Sequence, residues 1–467
     1  MISAQNLLQL LNGNRFLMLY LFVLFITSCT VVRPADRSTD PTKVYFPEIG
    51  KNDEVTDTVK PDTLRWTDVE ITEEVKVLTD TIEKSAENNF DINETYKIDV
   101  LIPMDSYTVV GNLEDIEQTS TNSMLHYYAG MIMALVELKE KGANLVVNVY
   151  DAPIDQDRTA DYLAIAKKDK PDLIIGPNEK EQLKKLNEFC RENAITVVSP
   201  WKAIPNAASQ NPRYIQLKPS LDTYYEKIVQ DIDERFGAEE VYLVGLDDAS
   251  GRSRIKNILS LHNKNISYPK DYNTLYINQV TLESENPVLK QIFSGAGKRK
   301  VIILPNWSYK DEDFLFSCLR KINLEKGQYQ IEVYGMPIML NSEKISYDLF
   351  KSLNIRIVSP NFLDDSDMMI REFKSDFYKQ FNVFPEPEAY EGFDMMSYIG
   401  ANLLEHGRKF DEAIENLEIE LLTTGYKLIR KNQEAEDPNS ETYPAAYFEN
   451  TKLFIIGFEN NKFVKLR

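Results

Sequence analysis

From Tyr96 onward, short continuous apolar runs alternate with stretches of helical period. YKIDVLIP (96–103), NLVVNVYDA (144–152), DLIIGP (172–177) and ITVVSP (195–200) are too uniformly apolar for strands with one wet face, and they predict strands buried on both sides. Between them lie amphipathic segments at 123–142, 157–168 and 179–193. In the first of these, Leu125, Tyr128, Ile132, Leu135 and Leu138 fall on one face and Gly142 is the stop signal. After Pro219 the alternation restarts. Helices are expected at 220–237, 253–263, 288–295 and 312–324, and strands at 239–248, 274–280, 299–305 and 330–337. Two rounds of βαβ alternation predict an α/β chain of two doubly wound parallel-sheet lobes, with the hinge near 216–221 and a cleft between the lobes.

In open sheets of this kind, ligands sit at the carboxyl ends of the strands. That rule selects Asp105, Ser106 and Tyr107, then Asn178, then Ser199, Trp201 and Lys202 in one lobe. In the other it selects Asp248, Asn306 and Trp307. Lys180, Ser250 and Tyr309, close to these ends in the chain, are further candidate cleft residues. Two readings of these residues stay open. In one, Lys180 and Lys202 are cations and Trp201 and Trp307 stacking walls for an anionic or sugar-like ligand. In the other, the lysines are solvated rim residues and the tryptophans pack between lobes.

Ahead of this body the pattern differs. FLMLYLFVLFI (16–26) is eleven apolar residues long, short for a bilayer span of about 20 residues, and it is followed by Thr27, Ser28 and Cys29. Ile26-Thr27-Ser28-Cys29 resembles the lipobox of bacterial lipoproteins. The resemblance implies removal of residues 1–28 as a signal peptide and lipidation of Cys29, hence a membrane partner through a lipid anchor. With no aspartate directly after Cys29, known sorting rules imply the outer membrane, facing the periplasm. Residues 29–95 read as an acidic, Thr-rich tether. Residues 30–95 hold sixteen Asp or Glu against eight Lys or Arg, and prolines at 34, 41, 47 and 61.

Composition narrows the functions. With 467 residues, 43% of them hydrophobic, the chain can build more than one core. A net charge of −20 repels a phosphate backbone, so nucleic acid is not an expected partner. Enzyme signals are poor, and no catalytic residue, metal or cofactor is expected. His126, His262 and His406 have no nucleophile motif beside them. SGAGKR (294–299) fails as a phosphate loop, because Ile292 and Arg299 stand where Gly and Ser/Thr are needed. Asp364-Asp365-Ser366-Asp367 lacks the glycine and distant glutamate of a calcium loop and reads as a solvated turn. Cys190 and Cys318 fall on helices of different lobes and are expected to be buried free thiols.

Several motifs in order resemble the type I periplasmic binding proteins, in the branch of the leucine/isoleucine/valine receptors. They are YKIDVLIPMDS, then DLIIGPNEKEQLKKLNEFCRENAITVVSPWKA, then NPRYIQLKPS, EEVYLVGLDDASGRSRIKNI and FPEPEAYEGFDMMSYIGANLL. The resemblance covers about residues 96–467. It implies a chain that crosses between lobes three times, with lobe 1 at 96–218 plus 356–412 and lobe 2 at 219–355 plus 413–467. It also implies a closing hairpin turned at Asn460-Asn461. The implied function is non-catalytic: binding of a small solute in the cleft, for transport or sensing. The chain departs from amino-acid receptors of the family at Lys180, where they carry a hydroxyl, at Trp201-Lys202-Ala203, and at Ser250, where they carry a stacking Tyr. An alternative is an envelope protein that uses the fold for protein–protein contacts, as in cell-wall synthesis, since some outer-membrane lipoprotein activators of cell-wall synthases have a domain of this fold.

Overall fold

The computed structural model describes residues 62–63, 95–104, 120–154, 156–204, 211–265, 271–294, 297–415, 417–432 and 446–466. The apolar leader, Cys29 and nearly all of the expected tether therefore lie outside the described residues. No helix among the described residues is long and apolar enough to cross a membrane.

The first sheet has the order β1-β3-β2-β4-β5-β6-β14-β13-β12. Its parallel centre is β2 (Tyr96–Ile102), β3 (Leu145–Asp151), β4 (Leu173–Ile175), β5 (Thr196–Ser199) and β6 (Tyr214–Gln216). One edge is closed by β1 (Asp62–Thr63), antiparallel to β3. The other edge carries β12 (Glu418–Glu420), β13 (Gly425–Asn432) and β14 (Ala446–Asn450). The second sheet has the order β16-β15-β11-β10-β9-β7-β8. Its parallel strands are β7 (Val241–Leu246), β8 (Asn273–Ile277), β9 (Arg299–Ile303), β10 (Gln330–Gly335) and β11 (Ile355–Ser359), followed by the antiparallel hairpin β15 (Phe454–Glu459) and β16 (Lys462–Lys465). That hairpin turns where expected, with Asn460 and Asn461 both at positive φ, the backbone a two-residue turn requires.

The continuous apolar runs are explained by helices on both faces. Ile98, Val100 and Ile102 of β2 join a core with α1 (Ser120–Glu140), while the intervening Leu101 joins a second core with α2 (Thr159–Asp169) and α3 (Lys180–Asn193). The second lobe has its own core, to which α4 (Leu221–Asp233), α5 (Ala249–Asn265) and α6 (Glu312–Glu325) contribute. Cys190 and Cys318 are buried and unbridged in separate cores, and burial pushes both thiols well above their usual range.

Sheet membership departs from the expected division at two places. Strand β11 pairs in the second sheet, so the second crossing comes after Ser359 rather than before residue 356. Strands β12–β14 belong to the first sheet, where Tyr426, Leu428 and Phe448 enter the first core, so the third crossing is at 451–453 rather than at 412–413. Strand β11 joins β10 in parallel and β14 joins β6 in parallel, with β13 and β12 added antiparallel, and local sequence pattern does not show which sheet such a strand joins.

The packed face of α1 also differs from expectation. Tyr127, Met131, Ala134, Leu135 and Leu138 are buried, whereas Leu125 is 41% exposed. The partner α8 (Pro387–His406) decides this, because the two helices meet at glycines. A Cβ on Gly130 would lie 1.9 Å from the carbonyl oxygen of Ala389, and one on Gly392 would lie 2.1 Å from that of Tyr127.

Candidate functional site

All three crossings are tied by buried or half-buried side chains of the first lobe. In the first, residues 217–220 lead from β6 into α4. Glu449 of β14, fully buried, accepts from the backbone N–H of Ser220 at 2.9 Å, from Ser220 Oγ at 2.7 Å and from Thr223 Oγ1 at 2.5 Å. A carboxylate at the N-terminus of α4 also meets the positive end of that helix. Asn450 donates to the carbonyl oxygens of Leu217 and Gly425 and accepts from the N–H of Lys427 and Lys452, which ties the first crossing to the third. Glu391 of α8 accepts from Asn361 Nδ2 at 2.5 Å and lies 3.9 Å from Lys218 Nζ, which joins the first crossing to the second. Asp394, one turn further along α8, accepts from the N–H groups of Leu422, Thr423 and Thr424 and from Thr423 Oγ1, all at 2.9–3.0 Å. The turn it holds pairs with the second crossing through Asn361 and Thr424. A cavity of about 30 Å³ lies among these ties, lined in part by Tyr127, Lys218, Asn361, Glu391, Thr424 and Tyr426. It has room for water and not for a solute.

The strand ends place the expected site residues as follows. After β4, Gly176 has φ +88°, and a Cβ there would strike the carbonyl oxygen of Leu101 at 2.3 Å and the Trp201 ring at 2.8 Å. The Trp201 indole thus covers Gly176, with its ring centroid 5.5 Å from that of Tyr127 and packed on the first core. Lys180 opens α3 and is exposed. The preceding Glu179 caps the helix, its carboxylate accepting from the N–H of Gln182 at 2.8 Å. That negative cap stands at the helix start where an anionic ligand would otherwise be favoured. Ser199 is buried, donating to the carbonyl of Lys202 at 3.2 Å, and Lys202 is exposed.

In the second lobe, Asp248 accepts from the N–H of Gly251 at 2.6 Å at the start of α5, and both it and Ser250 are exposed. Asn306, one residue past Pro305 at the end of β9, is only 1% exposed, while Trp307 and Tyr309 are 52% and 72% exposed. Asp105, Ser106 and Tyr107 lie outside the described residues.

Several of these groups have no hydrogen-bond partner although they are buried: Asn178 Oδ1, Trp201 Nε1, and both Nδ2 and Oδ1 of Asn306. Buried polar atoms are normally satisfied, and each exception calls for a reason.

The remaining candidate chemistry is built into the framework. His126 stacks on Phe377 and accepts from the N–H of Glu386 at 3.2 Å. His262 is buried, bonded to Asp233 at 3.0 Å and stacked on Tyr272. Asp364 binds its own loop through Ser366 and Asp367 caps α7 (Met368–Phe381). No cluster of three or more possible metal ligands occurs among the described residues. Sequence reasoning missed Glu449 and Asn450. Their only signal is two adjacent polar residues ending a strand in AYFENT.

Comparison with known proteins gives a consistent result. A family model described as the receptor family ligand binding region matches residues 127–438. No curated protein matches the chain. Among solved structures, a putative branched-chain amino acid ABC transporter protein from Rhodospirillum rubrum is similar with a TM-score of 0.53 at 12% identity, covering 80% of this chain and 100% of that one. An ABC transporter substrate-binding protein from Desulfitobacterium hafniense gives 0.50 at 14% identity, covering 80% and 100%. Full-length LpoA from Haemophilus influenzae gives 0.51 at 12% identity, covering 81% of this chain and 60% of that one.

Proposed function

The chain belongs to the receptor ligand-binding-region family and has the two-lobed type I periplasmic-binding-protein fold, and from that premise we propose that it is a non-catalytic, lipid-anchored binding protein of the bacterial envelope that closes its lobes on a small solute. The observation that carries this reading is the set of buried, unpartnered polar groups at or just past the carboxyl ends of strands in both lobes: Asn178, Trp201 and Gln216 in the first and Asn306 in the second. Closure on a ligand would supply their missing partners, and a ligand with differential affinity for the closed state shifts the balance toward it. The crossings provide the hinge. In a thermal-shift screen of the mature chain against soluble metabolites, one chemical class should raise the melting temperature by linkage.

A second reading, an envelope protein that uses the same fold for protein contacts, has its own supporting observation. The Trp201 indole lies against Gly176 and packs on the first core, which covers that strand end from within the chain itself. Under that reading no solute class stabilises the protein, and crosslinking in intact cells captures one envelope protein reproducibly.

Anchoring rests on Cys29 and on the outer membrane, facing the periplasm, as its site. Changing Cys29 to serine should release the protein from the membrane fraction. Membrane association that is unchanged and still requires detergent for release would refute the anchor.

A further inference from the structure

We infer that the chain carries an ionic latch at its third crossing: Glu420 of the first lobe and Lys465 of the second, with Glu418 and Lys452 beside them, hold the two lobes in one arrangement, and the hold loosens as ionic strength rises. The inference rests on the lobes moving about their crossings, as in the reading above. Strand β12 is the outermost strand of the first sheet and β16 the outermost of the second. Lys465 on β16 forms an ion pair with Glu420 on β12, so one charged contact joins the edges of the two sheets. Lys452, in the crossing itself, reaches Glu420 at 2.8 Å and Glu418 at 2.5 Å. Lys427 of β13 reaches Glu418 at 3.3 Å.

The fold positions these groups. Phe454 is buried at the start of β15, and its ring centroid lies 5.4 Å from Lys452 Nζ and 5.0 Å from Lys465 Nζ, within cation–π range of both. Gly425 stands opposite Glu420 in the β12–β13 register, and its missing side chain makes room for the Lys452 stem: a Cβ there would lie 2.4 Å from Lys452 Cγ. The bonds from Lys452 and Lys465 hold the Glu420 carboxyl below the usual carboxylate range.

Exposure separates this cluster from the other ties between lobes. Glu449, Asn450 and Asp394 are fully buried, where dissolved salt screens little. Lys431 also faces Glu226 of α4 at 3.4 Å, but it donates to Thr223 Oγ1 at 2.7 Å close to Glu449, and so belongs to the first crossing. The Glu420 and Lys465 side chains are each 41% exposed, so their attraction is open to screening. An exposed pair of this kind shifts an equilibrium by about two- to fivefold. That is small against the stability of a lobe. It is large enough to reset the balance between two arrangements that lie close in free energy.

The test uses the mature chain with spin labels attached through Glu140→Cys on α1 and Lys264→Cys on α5, two exposed positions in different lobes; Cys190 and Cys318 are buried. Pulsed dipolar spectroscopy reads the interlobe distances in about 0.01 M and about 1 M salt, where the screening length is about 30 Å and about 3 Å. With the cluster intact, salt should lower the population of the arrangement favoured at low salt, relative to the others, by about two- to fivefold. Lys465→Gln and Glu420→Gln should each give the high-salt distribution already at low salt and respond no further. Glu240→Gln breaks an ion pair with Arg299 that lies wholly within the second lobe, and it should keep the full salt response. An equal effect from Glu240→Gln would make the response a general charge effect and overturn the latch. Lys465 and Glu420 variants that match the unsubstituted protein in both salts also overturn it. If a solute from the thermal-shift screen still shifts the distances, the solute-binding reading then stands. One distribution unmoved by salt, substitution or any solute overturns both.

Discussion

Gly392→Ala should destabilise the protein by on the order of 3 kcal/mol, the upper range for overpacking a core, and should do so by prising apart the first lobe. The added methyl would sit 2.1 Å from the Tyr127 carbonyl oxygen, a backbone atom that no rotamer change can move. Relief requires α1 and α8 to separate along their crossing, which loosens the packing of Tyr127, Met131, Ala389 and Met396 around it. Gly130→Ala should behave alike, since its methyl would meet the Ala389 carbonyl oxygen at 1.9 Å. Because one separation relieves both clashes, the double variant should cost less than the sum of the two. Urea unfolding measures all three. A single-variant cost below about 0.5 kcal/mol, the scale of an ordinary surface change, would show that the helices do not approach this closely.

Asp394→Ala should be comparably severe, since it strips one acceptor group from four donors at once: the N–H groups of Leu422, Thr423 and Thr424, and Thr423 Oγ1. At about 1–3 kcal/mol for each donor left buried and unmet, and allowing for water that enters the vacated space, a loss of roughly 3–5 kcal/mol is expected. The turn it holds pairs with the second crossing, so the hinge should loosen as well. The same carboxylate gives a signed pH dependence. Burial pushes it from the ordinary 3.8 up to about 6, against the pull of its four donors. The folded protein therefore holds this proton to a higher pH than the unfolded chain does. The contribution of this group to stability is complete below about pH 4 and is lost as pH rises through about 6. Wild type should lose stability relative to Asp394→Asn between pH 4 and 7. A difference between the two that is flat across this range would contradict the assignment.

The site was only partly legible in the sequence. The rule that ligands gather at strand carboxyl ends selects Asn178, Trp201, Asn306 and Trp307 as candidates, because strand ends are marked by apolar runs stopping at Gly-Pro, Ser-Pro and Leu-Pro. It gave no reason to separate the buried or half-buried Asn178, Trp201 and Asn306 from Trp307, Lys202 and Asp248, which are exposed in the structure, as are Lys180 and Ser250. Exposure and hydrogen-bond satisfaction depend on neighbours far along the chain, and no local pattern encodes them. The Glu179 cap of α3 was legible in principle, as an acidic residue just before a helix, yet its effect on anion binding depends on the folded geometry.

By itself the amino-acid sequence determined the alternation of elements, the restart after Pro219, the two buried free cysteines and the Asn460-Asn461 turn. Each of these follows from local periodicity or from a residue's own backbone preference. Only the tertiary structure decided which sheet receives β11 and β12–β14, which face of α1 is buried, and how the crossings are held. Those depend on pairings across long separations: Gly130 with Ala389, Ser220 with Glu449, Leu217 with Asn450 and Asp394 with the turn at 422–424. Their energies come from close contact and buried hydrogen bonds, which exist only once distant segments have met.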